Sequence, residues 1–136
     1  MIQQVEFEMP QHDAGIYLIT KEIMAKLPKK LPETGLLHLF VKHTSCAIAI
    51  NENTDPAVRT DMEEILNHLV GEDRMYGHQV EGPSDMPSHG KSTLVGQSIM
   101  IPITRGRLNL GRWQGIYFLE FRDGDGPRGM VATIFS

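Results

Sequence analysis

Two apolar runs of strand length, GLLHLFVK at 35–42 and CAIAIN at 46–51, stand only three polar residues apart, His43-Thr44-Ser45. Runs of this length fit buried strands, and a polar interruption between two such strands is where chemistry often resides. The same texture recurs along the chain. Apolar and polar residues partly alternate over 2–8, and 15–20 reads GIYLIT, rich in β-branched and aromatic types. Further strands are expected at 98–103, 113–121 and 130–135, with a turn through Arg105-Gly106.

Helix signals are fewer. Thr20 is placed to cap a short helix over 21–27, before Pro28 and Pro32 break the pattern. Asp55 and Pro56 open the clearest helix, because Asp caps well and Pro suits a first turn; Val58, Met62, Ile65, Leu66 and Leu69 then recur at helical spacing. That helix should end near Gly71. Residues 71–88 form a polar stretch longer than ordinary connections, which favours a binding loop, and a short helix is expected over 88–95. Strands outnumber helices and connections are short. The expected fold is therefore α+β: a β-rich antiparallel or mixed sheet, or a sandwich, with a few helices on one side.

The 136 residues suit one domain over 1–136, and 40% apolar against 22% charged residues is the balance of a globular chain with a real core. A net charge of −4 argues against a nucleic-acid partner, since polyanion binders present a basic face. The first ten residues carry Glu6 and Glu8 and lack the basic start and apolar run of a secretory signal. No stretch approaches the ~20 apolar residues that span a bilayer, so no membrane partner is expected and a cytoplasmic location is the default. Cys46 is the single cysteine, so a metal would have to be held by histidines and carboxylates.

Polar residues concentrate beside apolar strands in four segments: 43–45, 51–55, 76–91 and 125–128. His43, His78 and His89 fall in these segments and suit one divalent cation, Zn or Mg, or a proton relay. Their spacing carries no helix-face metal motif, and from spacing alone hydrogen-bonding or surface roles are the commoner outcome. His12, His38 and His68 take that ordinary role. Glu52 and Asp55 could supply acid, base or metal-ligand chemistry, with Asn51 as a hydrogen-bond donor beside them, although Asp55 is also the helix cap. Lys91, Ser92 and Arg128 are candidate phosphate ligands, Arg128 best of all because its planar fork matches phosphate oxygens in pairs. Ser45, Trp113 and Gln114 complete the candidate substrate-binding set; an aromatic at the start of an apolar strand is more often packing than platform.

The segments GLLHLFVKHTSCAIAINENTDPAVRTDME, HQVEGPSDMPSHGKSTLVGQS, IPITRGRLNLGRWQGIYFLEF and DGPR together resemble the YjbQ family over nearly the whole chain. Two positions depart from the family pattern. Arg112 stands where GTWQ has its Thr, and Gly129 follows DGPR where a second arginine is common. The resemblance implies a β-rich protomer, a homotrimer with pockets near subunit contacts, and a thiamine-phosphate synthase activity. In that reaction the nitrogen of a thiazole phosphate displaces pyrophosphate from a pyrimidine methyl pyrophosphate. It further implies His43, His78 and His89 as the metal or proton-transfer cluster, Asn51, Glu52 and Asp55 beside it, and Arg128 on the anion. The dedicated enzyme for this chemistry is a TIM barrel of ~200 residues or more, so this chain would be a separate solution. Rival readings are a metal-assisted hydrolase or phosphotransfer enzyme using the same histidines, and a trimeric metal- or metabolite-binding protein without turnover.

Overall fold

The computed structural model describes residues 1–136. In chain order the elements are β1 (Ile2–Met9), β2 (Gly15–Leu18), α1 (Thr20–Lys26), β3 (Thr34–Val41), β4 (Cys46–Glu52), α2 (Pro56–Leu69), α3 (Asp85–Val95), β5 (Ser98–Thr104), β6 (Arg107–Leu108), β7 (Gln114–Glu120) and β8 (Arg128–Phe135). Every strand pair is antiparallel. One sheet has the order β1-β8-β3-β5-β6 and the other β2-β7-β4. The α+β expectation is met, with the antiparallel alternative chosen.

The three-stranded sheet is the middle layer. One face, through Ile48, Ile116 and Phe118, meets Leu37, Leu39, Ile101, Met130 and Ile134 of the five-stranded sheet in the main core, to which α1 adds Ile23. Its other face, through Ala47, Tyr117 and Leu119, meets Leu66 of α2, with Val95 of α3 beside them. This explains the unbroken apolar run of β7. A strand covered on both faces has no solvent side to mark with polar residues, and six of its seven residues are buried.

Two boundaries shift. The turn expected after 103 closes a short pairing of β6 on β5, Ile103 opposite Leu108. Arg105 takes φ 54 there, followed by Gly106 at φ 73, so two successive left-handed residues reverse the chain. More consequentially, α3 starts at Asp85 rather than at residue 88. Pro87 then lies in the first turn, where its missing N–H would have had no partner anyway. No helix is long and apolar enough to cross a membrane.

Candidate functional site

The early start of α3 creates the site. Asp85 and His89 are one turn apart on the helix, so their side chains share a face. Asp85 is buried, 2% exposed, although it is a carboxylate. Its Oδ2 lies 2.6 Å from His78 Nε2 and 3.1 Å from His89 Nε2, while its Oδ1 accepts a hydrogen bond from Arg122 Nη1 at 2.5 Å. The nitrogens of His78 and His89 and the Asp85 oxygen all fall within 4.8 Å of one another. Helix α3 is itself pinned to β4, because the buried Ser92 hydroxyl donates to the Cys46 carbonyl at 2.7 Å.

One hydrogen bond places a proton on the His89 ring. His89 Nδ1 lies 2.8 Å from the Thr44 carbonyl, and a carbonyl can only accept, so Nδ1 carries the proton. In the neutral ring Nε2 then faces the Asp85 oxygen with a lone pair. Two acceptors at this distance repel unless a second proton or a cation lies between them. A ligating histidine whose other nitrogen donates to a backbone carbonyl is the usual arrangement in metal centres. Burial by itself would push the Asp85 carboxyl up; the hydrogen bond from His78 and the charges of His89 and Arg122 outweigh it and hold the carboxyl below its ordinary value.

His43 does not join this group. Its Nε2 accepts the Gly129 backbone N–H at 2.7 Å, which leaves only Nδ1–H for other work. Burial first, and the Arg128 charge second, hold its pKa below the ordinary imidazole value. It is therefore a neutral donor. His43 and His89 do line one open cavity of about 770 Å³, together with Phe40, Lys42, Thr44 and Thr93, and none of its nine lining residues is acidic.

A group held neutral in the fold opposes protonation there. The unfolded chain takes up its proton near ~6.5, so this contribution to stability is present above that pH and lost as pH falls towards the lower folded value. Urea titrations between pH 8 and pH 5 should accordingly show a smaller loss of stability for His43→Gln than for the wild type. Equal losses would mean that His43 titrates alike in both states.

The remaining expected residues separate into two places. Asn51, Glu52 and Asp55 sit at the opposite end of β4 from Ser45 and Cys46, roughly 20 Å away at ~3.3 Å per residue. There they build a turn: Glu52 accepts the Asp55 N–H at 2.8 Å, and Asp55 accepts the Ala57 N–H at 2.9 Å as cap of α2. Gln114 pairs with Glu52 across the sheet, and Trp113 is 55% exposed with the Arg112 guanidinium 4.9 Å from its ring centre. The structure brings none of these five to the histidines within one chain, because the length of β4 separates them.

Arg128 lies near the site but is already engaged. Its Nε and Nη2 donate to the two Glu120 oxygens at 2.8 and 2.5 Å, Nη2 also donates to Ser45 Oγ at 2.8 Å, and both charged side chains are buried. A guanidinium neutralised in this way is part of the framework, and Ser45 with it. Lys91 is likewise committed: its Nζ donates to Asn67 Oδ1 of α2 and lies 5.8 Å from the Phe121 ring centre, and burial lowers its pKa. Asp85 and Arg122 are the two site residues that sequence reasoning did not find. Asp85 was available from its spacing of four to His89 once the helix is extended through Pro87; Arg122 left no local signal.

Fold and site together define a layered antiparallel α+β protein with two imidazoles and one carboxylate converging beside an open cavity. The chain belongs to the family described as UPF0047 protein YjbQ-like, which matches residues 3–136. It is 46% identical over 135 residues to UPF0047 protein YjbQ of Salmonella typhimurium, covering 98% of each chain. It is 36% identical over 134 residues to UPF0047 protein YugU of Bacillus subtilis, covering 98% of this chain and 97% of that one. A solved YjbQ/UPF0047 protein from Clostridium acetobutylicum superposes with a TM-score of 0.84 at 35% identity, over 96% of this chain and 99% of the other. A YbjQ-like protein from Sulfolobus solfataricus shares the fold at a TM-score of 0.88 with 19% identity, over 100% and 98% of the two chains.

Proposed function

We propose that this chain is a metal-dependent enzyme acting on a phosphorylated small molecule, with a divalent cation held by His78, Asp85 and His89. The observation that carries this reading is the His89 ring: its Nδ1 proton is committed to the Thr44 carbonyl, so its Nε2 faces a buried carboxylate oxygen across a gap that a proton or a cation has to bridge. Two imidazole nitrogens and one carboxylate oxygen suit zinc better than magnesium, which prefers oxygen ligands. A cation with three protein ligands keeps a position open, and when bound it would neutralise a departing phosphate or pyrophosphate.

The chain's own residues supply the rest. His43 offers an N–H to the cavity while its other nitrogen is held by Gly129, so it orients a ligand oxygen without changing charge. A cavity wall without acidic side chains favours an anionic ligand, and Phe40 and Val41 give it an apolar side. The thiamine-phosphate synthase-type condensation implied by the family resemblance fits these requirements, since it releases pyrophosphate. A phosphate-ester hydrolase or phosphotransfer enzyme at the same centre is the second reading, favoured by the same cation and cavity. The homotrimer belongs to this proposal too. Leu36, Phe40, Met100 and Phe135 leave an exposed apolar area on the outer face of the five-stranded sheet, and such areas commonly become interfaces.

The test is elemental analysis of wild type and His89→Ala, followed by assays for thiamine phosphate from the two phosphorylated precursors and for phosphate release. Zinc near one per chain with product in the wild type, and neither in the variant, is the expected result. Metal with phosphate release alone would select the second reading; equal metal in both proteins would refute the centre. Light scattering on the same sample should give a trimer, and a mass of 15.3 kDa, that of one chain, would sink that assignment.

A further inference from the structure

Arg122 follows the last residue of β7 by two positions and has no place in the binding set described above. Its Nη1 reaches Asp85 Oδ1 at 2.5 Å and Glu81 Oε2 at 3.1 Å. Its own backbone N–H donates to Glu120 Oε2 at 3.3 Å, the carboxylate that also clamps Arg128. The residue is thus anchored to the framework through its backbone, and its guanidinium touches the histidine cluster.

Two consequences follow from elementary chemistry. A carboxylate can turn about its last torsion and offer either oxygen, or both, to a cation. With Oδ1 held by a guanidinium that stays charged at any physiological pH, Asp85 presents only Oδ2 to His78 and His89. Glu81 lies three residues from His78 in the connection between α2 and α3, so its bond to the same Nη1 ties that connection to the ligand carboxylate. Asp85 and His89 share the rigid helix α3, whereas His78 depends on the connection for its position.

We propose that Arg122 is the positioning residue of the centre: it fixes which Asp85 oxygen faces the two histidines and, through Glu81, holds the segment that delivers His78. This rests on the metal-centre reading above and adds to it a residue that touches neither cation nor substrate. Outer contacts of this kind are typically worth 10–100-fold in metal affinity.

The experiment is a cobalt titration of the metal-stripped full chain, following the visible absorption band, with zinc affinity measured by competition. Arg122→Gln is expected to lose about 10–100-fold in affinity for both ions and to shift the cobalt band, with the near-ultraviolet circular dichroism of a folded protein retained. Arg122→Lys, which keeps the charge, should recover part of the loss. Glu81→Gln leaves the Arg122–Asp85 pair in place and should quicken amide hydrogen exchange across residues 71–84. Wild-type affinity and spectrum in Arg122→Gln would overturn the inference while leaving the metal centre standing. A wild type that takes up neither ion removes the centre itself, and the inference with it. Should Arg122→Gln not fold, Glu81→Gln decides: faster exchange over 71–84 supports the tie, and wild-type exchange there overturns it.

Discussion

Glu120→Gln will destabilise the fold by about 3–5 kcal/mol, because it leaves the Arg128 guanidinium without its buried countercharge. The two side chains are 0% and 3% exposed, so water cannot replace the lost partner. Ser45 Oγ would remain as an acceptor, but a hydroxyl offsets little of a full charge in a dry environment. Asp125, 3.3 Å from Nη1 and partly exposed, gives only limited relief. Against a total stability of typically ~5–15 kcal/mol, the loss should lower the melting temperature by on the order of 10 °C for a chain of this size. Urea denaturation of the two proteins measures it directly. A double replacement, Glu120→Leu with Arg128→Met, should be less damaging than the single one, since the cost comes from an orphaned charge and not from the absence of the pair. A single variant within ~1 kcal/mol of wild type would mean that water reaches Arg128.

This ion pair also shows what a sequence conceals. Glu120 and Arg128 are eight residues apart, and nothing local tells a framework guanidinium from a free phosphate ligand. Most strands were legible as short apolar runs, as in β3, where Leu37, Leu39 and Val41 face the core while Leu36 and Phe40 are exposed. Helix α2 was legible from its Asp55 cap and Pro56. Helix α3 begins three residues earlier than expected because 71–88 reads as one polar stretch, whereas Pro87 is a first-turn residue, and that shift hid Asp85. Residue type, segment polarity and the family resemblance grouped His43, His78 and His89, and nothing local tells that His78 and His89 alone meet at Asp85. The exclusion of His43 depends on one backbone N–H, that of Gly129, which approaches from β8 across the fold. The distance between Asn51 and the histidines is likewise set by the length of β4 in its pairing with β7, a property of the sheet and not of any motif.

Asp85→Asn will weaken binding of the proposed cation by about a hundredfold or more and take the proposed turnover with it, while leaving α3 folded. The substitution keeps the size and one carbonyl oxygen of the side chain but removes the negative charge that brings the two imidazoles together. It also removes the carboxylate that pairs with Arg122 beside the two histidines, leaving Glu81 as its ion-pair partner, so a cation would enter against the field of a guanidinium. The expected loss therefore exceeds the 10–100-fold typical of an outer contact. The acid side of the stability profile supplies an independent reading. The Asp85 carboxyl is held below its ordinary value, so its contribution is present above the unfolded value of ~3.9 and is lost as pH falls through the folded one. In metal-free protein Asp85→Asn should flatten that acid limb, and in zinc titrations near neutral pH it should abolish tight binding. Zinc bound by Asp85→Asn as tightly as by the wild type would show that the two histidines act without the carboxylate, and would return Asp85 to a purely structural partnership with Arg122.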